Sequence, residues 1–289
     1  MELSYQLWDV FTDTALRGNP LAVVLDASEL DAATMGRIAA EFNLSETSFI
    51  LPSSEATARA RYFTPRRELP MAGHPSIGTV YALNDLGRIS SDRVTLELGV
   101  GVVPFDLELE GDVLKRVWMD QGVPRLIREC SDRGGVAGAL GLDVLDLIDT
   151  LPLQVVSAGV PFLLVPVDSL EVLAKATLDL ERLPDVLPLE HRGVLVFTFD
   201  APESDVRARM FGEALGVRED PATGSAHGPL GYYLAQQELL EGDNGVIRFT
   251  SHQGVEMGRA SVIEVRVESN GHVFVGGHAV KIGEGKLYL

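Results

Sequence analysis

The second half of the chain repeats sequence signals of the first half in the same order, and this repeat limits the fold more than any other feature. The segment ELPMAGHPSIGTVYAL from Glu68 aligns without gaps with EDPATGSAHGPLGYYL from Glu219, at an offset of 151 residues (219 − 68). Upstream, GNPLAVVL from Gly18 is similar to GVPFLLVP from Gly159, at an offset of 141 residues (159 − 18). Two matches in one order, in a chain of 289 residues, favour a duplicated fold over a coincidence of common turn residues.

Alternating apolar and polar segments with few helices between them predict an α+β fold of two pseudo-symmetric halves. We predict one half at residues 1–117, rejoined by 276–289, and the other at 118–275. Strands are predicted near residues 3–11, 20–25, 45–51, 58–63, 93–98, 101–109, 113–120, 153–157, 161–167, 193–200, 204–211, 245–250, 261–268 and 279–288. Helices are predicted at residues 28–42, 74–87, 169–175, 179–186 and 225–240, and the glycine-rich segment from Gly134 is predicted as a loop leading into a short helix.

Charge and cysteine content exclude several classes of protein. The chain has 24 Lys and Arg residues against 42 Asp and Glu, a formal charge of −18, so neither nucleic acid nor an anionic membrane surface is an expected partner. A single cysteine, Cys130, permits no intramolecular disulfide, and with no secretory leader pattern at the N-terminus this predicts a cytoplasmic protein. The six histidines show no H-x-x-x-H or H-x-H pair, so no metal site is predicted.

The two repeated segments each place glycine at a predicted helix start, Gly73 in the first half and Gly224 in the second. The first turn of a helix carries unpaired backbone N–H groups and a partial positive charge, and glycine lets a ligand approach the backbone closely. Two such starts on either side of a cleft predict a receptacle for a carboxylate or an enolate-like oxyanion, and the expected ligand is a small carboxylated metabolite.

The residues around these helix starts have ordinary structural explanations as well as chemical ones. Glu46 is equally a solvated residue before a strand, and His74 is equally a packing residue at its helix start. Asp220 precedes a proline, as turn residues do, and Ser225 is a suitable N-cap. Spacing alone leaves both explanations open, although GSAHG lacks the nucleophile-elbow pattern and therefore disfavours a serine hydrolase.

Four segments together resemble a known family. GNPLAVV, NLSETSF, RYFTPRRELPMAGHPSIGT and EDPATGSAHGPL, in this order, resemble the PhzF family of phenazine-biosynthesis-like isomerases, and the resemblance runs from about Leu3 to the C-terminal VGGHAVKIGEGKLYL. It implies the diaminopimelate-epimerase-like fold, in which each of two domains is a β-barrel-like sheet around a central helix, with the active site between the domains. It also implies a homodimer and no cofactor.

The resemblance further implies roles for particular residues. Glu46 would be the acid/base that shifts a proton within the substrate, with His74 and Asp220 as its catalytic partners. Backbone and side-chain donors for the substrate would come from Gly73, Ser76, Gly224 and Ser225. Epimerases and racemases of the wider fold typically have thiols at the two helix starts, where this chain has glycines, so an epimerase is the weaker alternative. A non-catalytic small-molecule binding protein is the other alternative.

Overall fold

The structure is a computed structural model that describes residues 1–183, 193–212 and 217–289. By its internal contacts the chain divides into two compact units, Met1–Asp120 with Gly276–Leu289, and Gln121–Val275. The described residues form 18 strands and five α-helices, so each unit is a mixed α/β structure in which strands predominate. No described helix combines the length and the apolar character that crossing a membrane requires.

The first 120 residues contain eight strands and two α-helices. The strands are β1 Glu2–Val10, β2 Asn19–Val24, β3 Thr47–Leu51, β4 Ala58–Phe63, β5 Glu68–Leu69, β6 Arg93–Leu98, β7 Gly101–Glu110 and β8 Val113–Asp120, and the α-helices are α1 Ala32–Phe42 and α2 Gly73–Asp85.

The remaining elements follow from residue 125 onward. The strands are β9 Arg125–Cys130, β10 Leu153–Ser157, β11 Pro161–Pro166, β12 Gly193–Thr198, β13 Val206–Gly212, β14 Val217–Asp220, β15 Ile247–Gln253, β16 Ser261–Val267, β17 Val273–Gly277 and β18 Ala279–Tyr288. The α-helices are α3 Arg133–Ala139, α4 Leu170–Lys175 and α5 Gly224–Gln236. The last strand, β18, belongs to the first unit.

The sheet of the first unit runs β18–β1–β2–β3–β4–β6–β7–β8. Two of its pairings are parallel, β2 with β3 and β4 with β6, and the others are antiparallel. The two-residue strand β5 pairs with β4. Parallel neighbours need a crossover connection, and here α1 lies in the chain between β2 and β3 while α2 lies between β4 and β6.

Helix α2 is the central helix of the first unit. Every residue from Gly73 to Leu83 is buried, and the helix contacts β1, β2, β3, β4, β8 and β18. A helix that is buried around its whole circumference is a core helix, and the polar side chains of His74, Ser76 and Thr79 are buried with it. A Cβ on Gly78 would lie 2.4 Å from the Leu21 side chain, so glycine is what allows α2 to approach β2 this closely.

The second unit repeats the order of strand pairings of the first. Its sheet runs β9–β10–β11–β12–β13–β15–β16, with β11 and β12 parallel, β13 and β15 parallel, and short β14 paired with β13. Helix α5 is buried in the same way as α2 and contacts β10, β11 and β16. The shared order of pairings is an observation within each unit, and the pseudo-symmetry of two whole barrel-like domains stays a prediction.

Most predicted elements are present, with several corrections. The first helix begins at Ala32 rather than near residue 28, because the Asp31 side chain accepts from the Thr34 N–H and caps it there. Helix α5 ends at Gln236, four residues before the predicted end. The glycine-rich segment is itself mostly helical, in α3. Of the helix predicted at residues 179–186, residues 179–183 lack helix and include a turn, and residues 184–186 lie outside the described residues.

Four strands were not predicted: β5, β9, β14 and β17. The first and third are only two and four residues long, which is too short for an alternation to be recognised. Strand β9 has the sequence RLIREC and is exposed at every position except Cys130, so it has no buried face to produce an alternation.

Candidate active site

The structure brings Glu46 and His74 together in the first unit. Glu46 is the last residue before β3, and His74 is the second residue of α2. The Glu46 Oε2 atom lies 3.5 Å from His74 Nδ1, and the Glu46 side chain is 19% exposed to solvent. A partly accessible carboxylate therefore lies against a buried imidazole at the start of the central helix.

His74 is a neutral imidazole in this structure. Its side chain is only 5% exposed, and burial lowers the pKa of His74 to about 3. Its contact with Glu46 is consequently not an ion pair at neutral pH, because only a protonated imidazole carries the charge. The Asn19 side-chain amide nitrogen lies 3.2 Å from Nδ1, and the Ser45 hydroxyl donates to Asn19 Oδ1 at 3.2 Å.

Two buried polar atoms of this unit have no hydrogen-bond partner among the described residues. They are His74 Nε2 and the Thr47 hydroxyl oxygen, and Thr47 directly follows Glu46 in the chain. Buried polar groups are nearly always paired in folded proteins, so an unpaired one indicates a function such as ligand binding. Both unpaired atoms belong to residues at or next to the candidate acid/base pair.

The start of α2 supplies backbone donors without a side-chain cap. Its N-cap residue, Ala72, makes no side-chain capping bond, and Gly73 is the first helical residue. The Ser76 side chain is used internally, since its hydroxyl donates to the Ala72 carbonyl at 2.6 Å and lies 2.9 Å from the Tyr62 hydroxyl. Burial raises the pKa of that tyrosine, which is therefore a neutral donor to Ser76. The Ser76 hydroxyl is hydrogen-bonded to Ala72 and Tyr62, and its role in substrate binding stays a prediction.

In the second unit Asp220 lies at the end of β14 and is 6% exposed. Its carboxylate accepts from the Thr223 hydroxyl at 2.6 Å. The Gln253 amide nitrogen donates to the Asp220 carbonyl at 2.6 Å, and the Gln253 amide oxygen accepts from the Thr223 N–H at 3.1 Å. These bonds hold the Asp220–Thr223 turn against β15 and orient the carboxylate.

The start of α5 matches the start of α2 in construction. Thr223 is its N-cap and makes no side-chain capping bond, Gly224 is buried, and Ser225 is half-buried. The Gly224 carbonyl accepts from the Gln121 side chain at 3.0 Å. The first N–H groups of a helix have no acceptor within the helix, so those of Gly224 and Ser225 can donate to a ligand or to water.

His227 is a structural residue of α5. It is fully buried, its Nδ1 lies 2.9 Å from the Thr223 carbonyl, and its Nε2 lies 2.9 Å from the Ser251 hydroxyl. The carbonyl can only accept, so Nδ1 carries the proton and Nε2 accepts from Ser251. Burial lowers the pKa of His227 to about 4. Both ring nitrogens are engaged, so His227 braces α5 against β15.

Sequence reasoning missed five side chains of these two clusters: Asn19, Ser45 and Thr47 near Glu46 and His74, and Thr223 and Gln253 beside Asp220. The first three lie within the GNPLAVV and NLSETSF segments that carry the family resemblance, so the signal was present although no role was assigned. Gln253 lies 33 residues beyond Asp220 and has no such motif around it, so only the fold reveals their contact.

The described residues contain neither an activated cysteine nor a cluster of side chains that could bind a metal ion. Cys130 is buried, and burial raises the pKa of its thiol, so it is not an activated nucleophile. Residues 1–183, 193–212 and 217–289 contain no group of three His, Cys, Asp or Glu side chains placed to hold a metal ion. His191 lies outside those residues.

Known proteins resemble this chain over its whole length. The family described as phenazine biosynthesis-like protein, PhzC-PhzF, matches residues 8–285. The trans-2,3-dihydro-3-hydroxyanthranilate isomerase of Pseudomonas aeruginosa is 37% identical over 290 residues, which cover 99% of each chain. The crystal structure of a PhzF-family phenazine biosynthesis protein of Bacillus anthracis covers 100% of both chains at 28% identity, with a TM-score of 0.91.

A more distant structure shows the same fold. The hydroxyproline epimerase of Agrobacterium vitis is 12% identical, covers 99% of this chain and 92% of its own, and superposes with a TM-score of 0.64. At this identity the likeness concerns the fold alone. The family match covers residues 8–285, and several relatives are named isomerases. The chain therefore belongs to the PhzC-PhzF family of phenazine biosynthesis-like proteins and is an isomerase of that family.

Proposed function

We propose that this isomerase moves a proton between two carbons of a small carboxylated metabolite, with Glu46 as the acid/base and no cofactor. The observation that carries the proposal is the placement of Glu46. Its carboxylate is 19% exposed and lies 3.5 Å from a buried, neutral histidine at an uncapped helix start. A base in such a setting can reach a bound substrate while a neighbouring donor and the helix start hold negative charge.

The proposed reaction needs one base and one place for charge. Glu46 takes a proton from a carbon next to an unsaturated system, and the electron pair left behind spreads into that system and its oxygen substituents. The same carboxyl group then returns the proton at another carbon, so the product is an isomer and atoms balance. Donors that are already in position lower the barrier because they need not reorganise as the charge develops.

The remaining predicted residues would bind the metabolite. Backbone N–H groups at Gly73, Gly224 and Ser225 suit a carboxylate, since helix starts attract anions even in a chain with a net charge of −18. Asp220, held by Thr223 and Gln253, would orient an amino or hydroxyl group. The first substrate to test is trans-2,3-dihydro-3-hydroxyanthranilate, a carboxylate that the Pseudomonas aeruginosa relative is named for.

The proposed role of Glu46 can be tested by measuring the incorporation of deuterium from heavy water into the product. Incubation of the protein with trans-2,3-dihydro-3-hydroxyanthranilate in heavy water should place deuterium on a carbon of the product, because the proton that the Glu46 carboxylate has taken exchanges with solvent before it is returned. Glu46→Gln keeps the size and polarity of the side chain but cannot carry the proton, so turnover and exchange should fall by about 10²–10⁴-fold while affinity changes little. Mass spectrometry and NMR of the product measure both.

Glu41→Gln is the matched control, since Glu41 is an exposed glutamate near the end of α1 and should leave exchange unchanged. Undiminished exchange in Glu46→Gln would remove Glu46 from the mechanism. If no ligand that binds is either turned over or labelled with deuterium, the proposed proton transfer by Glu46 on a carboxylated metabolite is wrong. An epimerase would instead exchange a proton at one carbon and invert it, and the glycines at positions 73 and 224 do not supply the thiols that such chemistry typically uses.

A further inference from the structure

We infer that Asn19 is a positioning residue that holds His74 in the tautomer with its proton on Nε2, so that the imidazole offers a hydrogen-bond donor to an acceptor oxygen of the substrate. This inference rests on the proposed function for its catalytic meaning. The tautomer itself is a property of the protein without substrate, and it can be measured independently of any activity.

The chain of hydrogen bonds around Asn19 has a direction. Ser45 donates its hydroxyl to Asn19 Oδ1 at 3.2 Å, which places the amide nitrogen of Asn19 on the other side, 3.2 Å from His74 Nδ1. An amide nitrogen can donate but cannot accept. The ring nitrogen that faces it must therefore present a lone pair, and Nδ1 carries no proton.

A neutral imidazole has one ring proton, and His74 is neutral because its ring is buried. With Nδ1 as the acceptor, the proton lies on Nε2. That nitrogen is buried and has no hydrogen-bond partner among the described residues. The structure thus keeps a fixed donor unpaired inside the protein, and a bound ligand with an acceptor atom would satisfy it. The unpaired Thr47 hydroxyl next to Glu46 is a second polar atom in the same condition.

This tautomer separates the roles of His74 and Glu46. Glu46 Oε2 lies 3.5 Å from the same Nδ1, which has no proton to donate, so the two residues share no proton. His74 consequently does not relay the proton that Glu46 moves. Its partner on the substrate must accept a hydrogen bond, as a carbonyl, carboxylate or hydroxyl oxygen does, and an ammonium group at this position is excluded because it can only donate.

The primary experiment uses the wild-type protein. Long-range ¹H–¹⁵N correlation spectra of the ¹⁵N-labelled histidines distinguish a protonated ring nitrogen from a bare one, and His74→Gln identifies the His74 signals by their loss. We expect protonated Nε2 and bare Nδ1 at pH 7. A protonated Nδ1, as donation to Glu46 would require, overturns the inference whatever the activity of the protein.

The second experiment reverses the tautomer. Asn19→Asp replaces the donor facing Nδ1 with an acceptor of the same size, so the proton should move to Nδ1 and leave Nε2 bare. We expect kcat to fall by about 10²–10³-fold, the usual effect of removing one preorganised donor, with KM little changed. Asn270→Asp is the control, because Asn270 is exposed and its side-chain oxygen accepts a bond from the His272 N–H, which aspartate also accepts.

Ser45→Ala covers the case in which Asn19→Asp does not fold. Without the hydroxyl that orients the amide, Asn19 is free to turn its oxygen toward the ring, and a mixture of the two tautomers should appear with a smaller loss of kcat. A reversed tautomer with unchanged kcat would overturn the catalytic part of the inference. A protein that has the expected tautomer but no isomerase activity would instead count against the proposed function alone.

Discussion

At the scale of single residues, the site depends on a backbone conformation next to it. Gly18, which precedes Asn19, has a φ of +68°, and a Cβ on it would lie 2.3 Å from the Val10 carbonyl oxygen. Both the left-handed backbone and the close approach of another main chain require glycine here. The position of the Asn19 amide therefore depends on the backbone conformation of Gly18.

Gly18→Ala should destabilise the protein by roughly 3 kcal/mol or more, since both backbone strain and a clash with a carbonyl contribute. Gly87→Ala is the matched control: its φ is +66°, but a Cβ there meets nothing within 4 Å, so only the strain of about 1–2 kcal/mol applies. Urea unfolding midpoints of the two variants measure the difference. Equal losses would show that the Val10 carbonyl gives way at little cost.

At the scale of elements, the two central helices each bury a histidine in their first turns. His74 in α2 and His227 in α5 are neutral in the folded state, with pKa values lowered by burial to about 3 and about 4. In the unfolded chain a histidine binds a proton below about 6.5. Their contribution to stability is therefore complete above pH 6.5 and is lost as the pH falls toward those folded-state values.

We expect His227→Asn to flatten this dependence. Between pH 7 and pH 4.5 the wild type should lose about 2–3 kcal/mol of unfolding free energy through His227, because the unfolded state gains a proton that the folded state refuses. The variant should be less stable than the wild type at pH 7, since the bonds to Thr223 and Ser251 change, but should lose less between the two pH values. Urea unfolding of both proteins at both pH values measures it, and parallel losses would contradict the assignment.

At the scale of the whole molecule, both units have the same succession of strand pairings, parallel, antiparallel and parallel. In the first unit these are β2–β3, β3–β4 and β4–β6, and in the second β11–β12, β12–β13 and β13–β15. In each unit the central helix follows a short strand, β5 before α2 and β14 before α5. The helices α2 and α5 each have 13 residues and begin 151 residues apart (224 − 73), at the offset of the sequence repeat. The sequence repeat is thus reflected in the connections of both sheets.

We also expect the protein to be a homodimer, as the family resemblance implies. Light scattering at micromolar concentration should give the mass of two 31.2-kDa chains. A single-chain mass under these conditions would contradict the expectation without affecting the proposed chemistry, because the residues assigned to it here all belong to one chain.

Much of the fold could be predicted because its signals are local. The sequence predicts Gly73 and Gly224 at helix starts, and they are the first residues of α2 and α5. It predicts the final strand at residues 279–288, where β18 lies. Alternation, capping and glycine placement act over a few residues, so a sequence states them directly. Strand β9 was not predicted, because an exposed strand with charged side chains has no alternation of apolar and polar residues.

The class of fold, the family and the candidate residues Glu46, His74 and Asp220 can all be inferred from the amino-acid sequence. Their hydrogen-bond partners cannot, because those depend on the folded chain. Asn19 and His74 are 55 residues apart, and Gln253 and Asp220 are 33 apart, yet each pair is hydrogen-bonded. Such contacts depend on how strands and helices pack rather than on neighbouring residues, so the proton position on His74 and the bracing role of His227 became visible only in the folded chain.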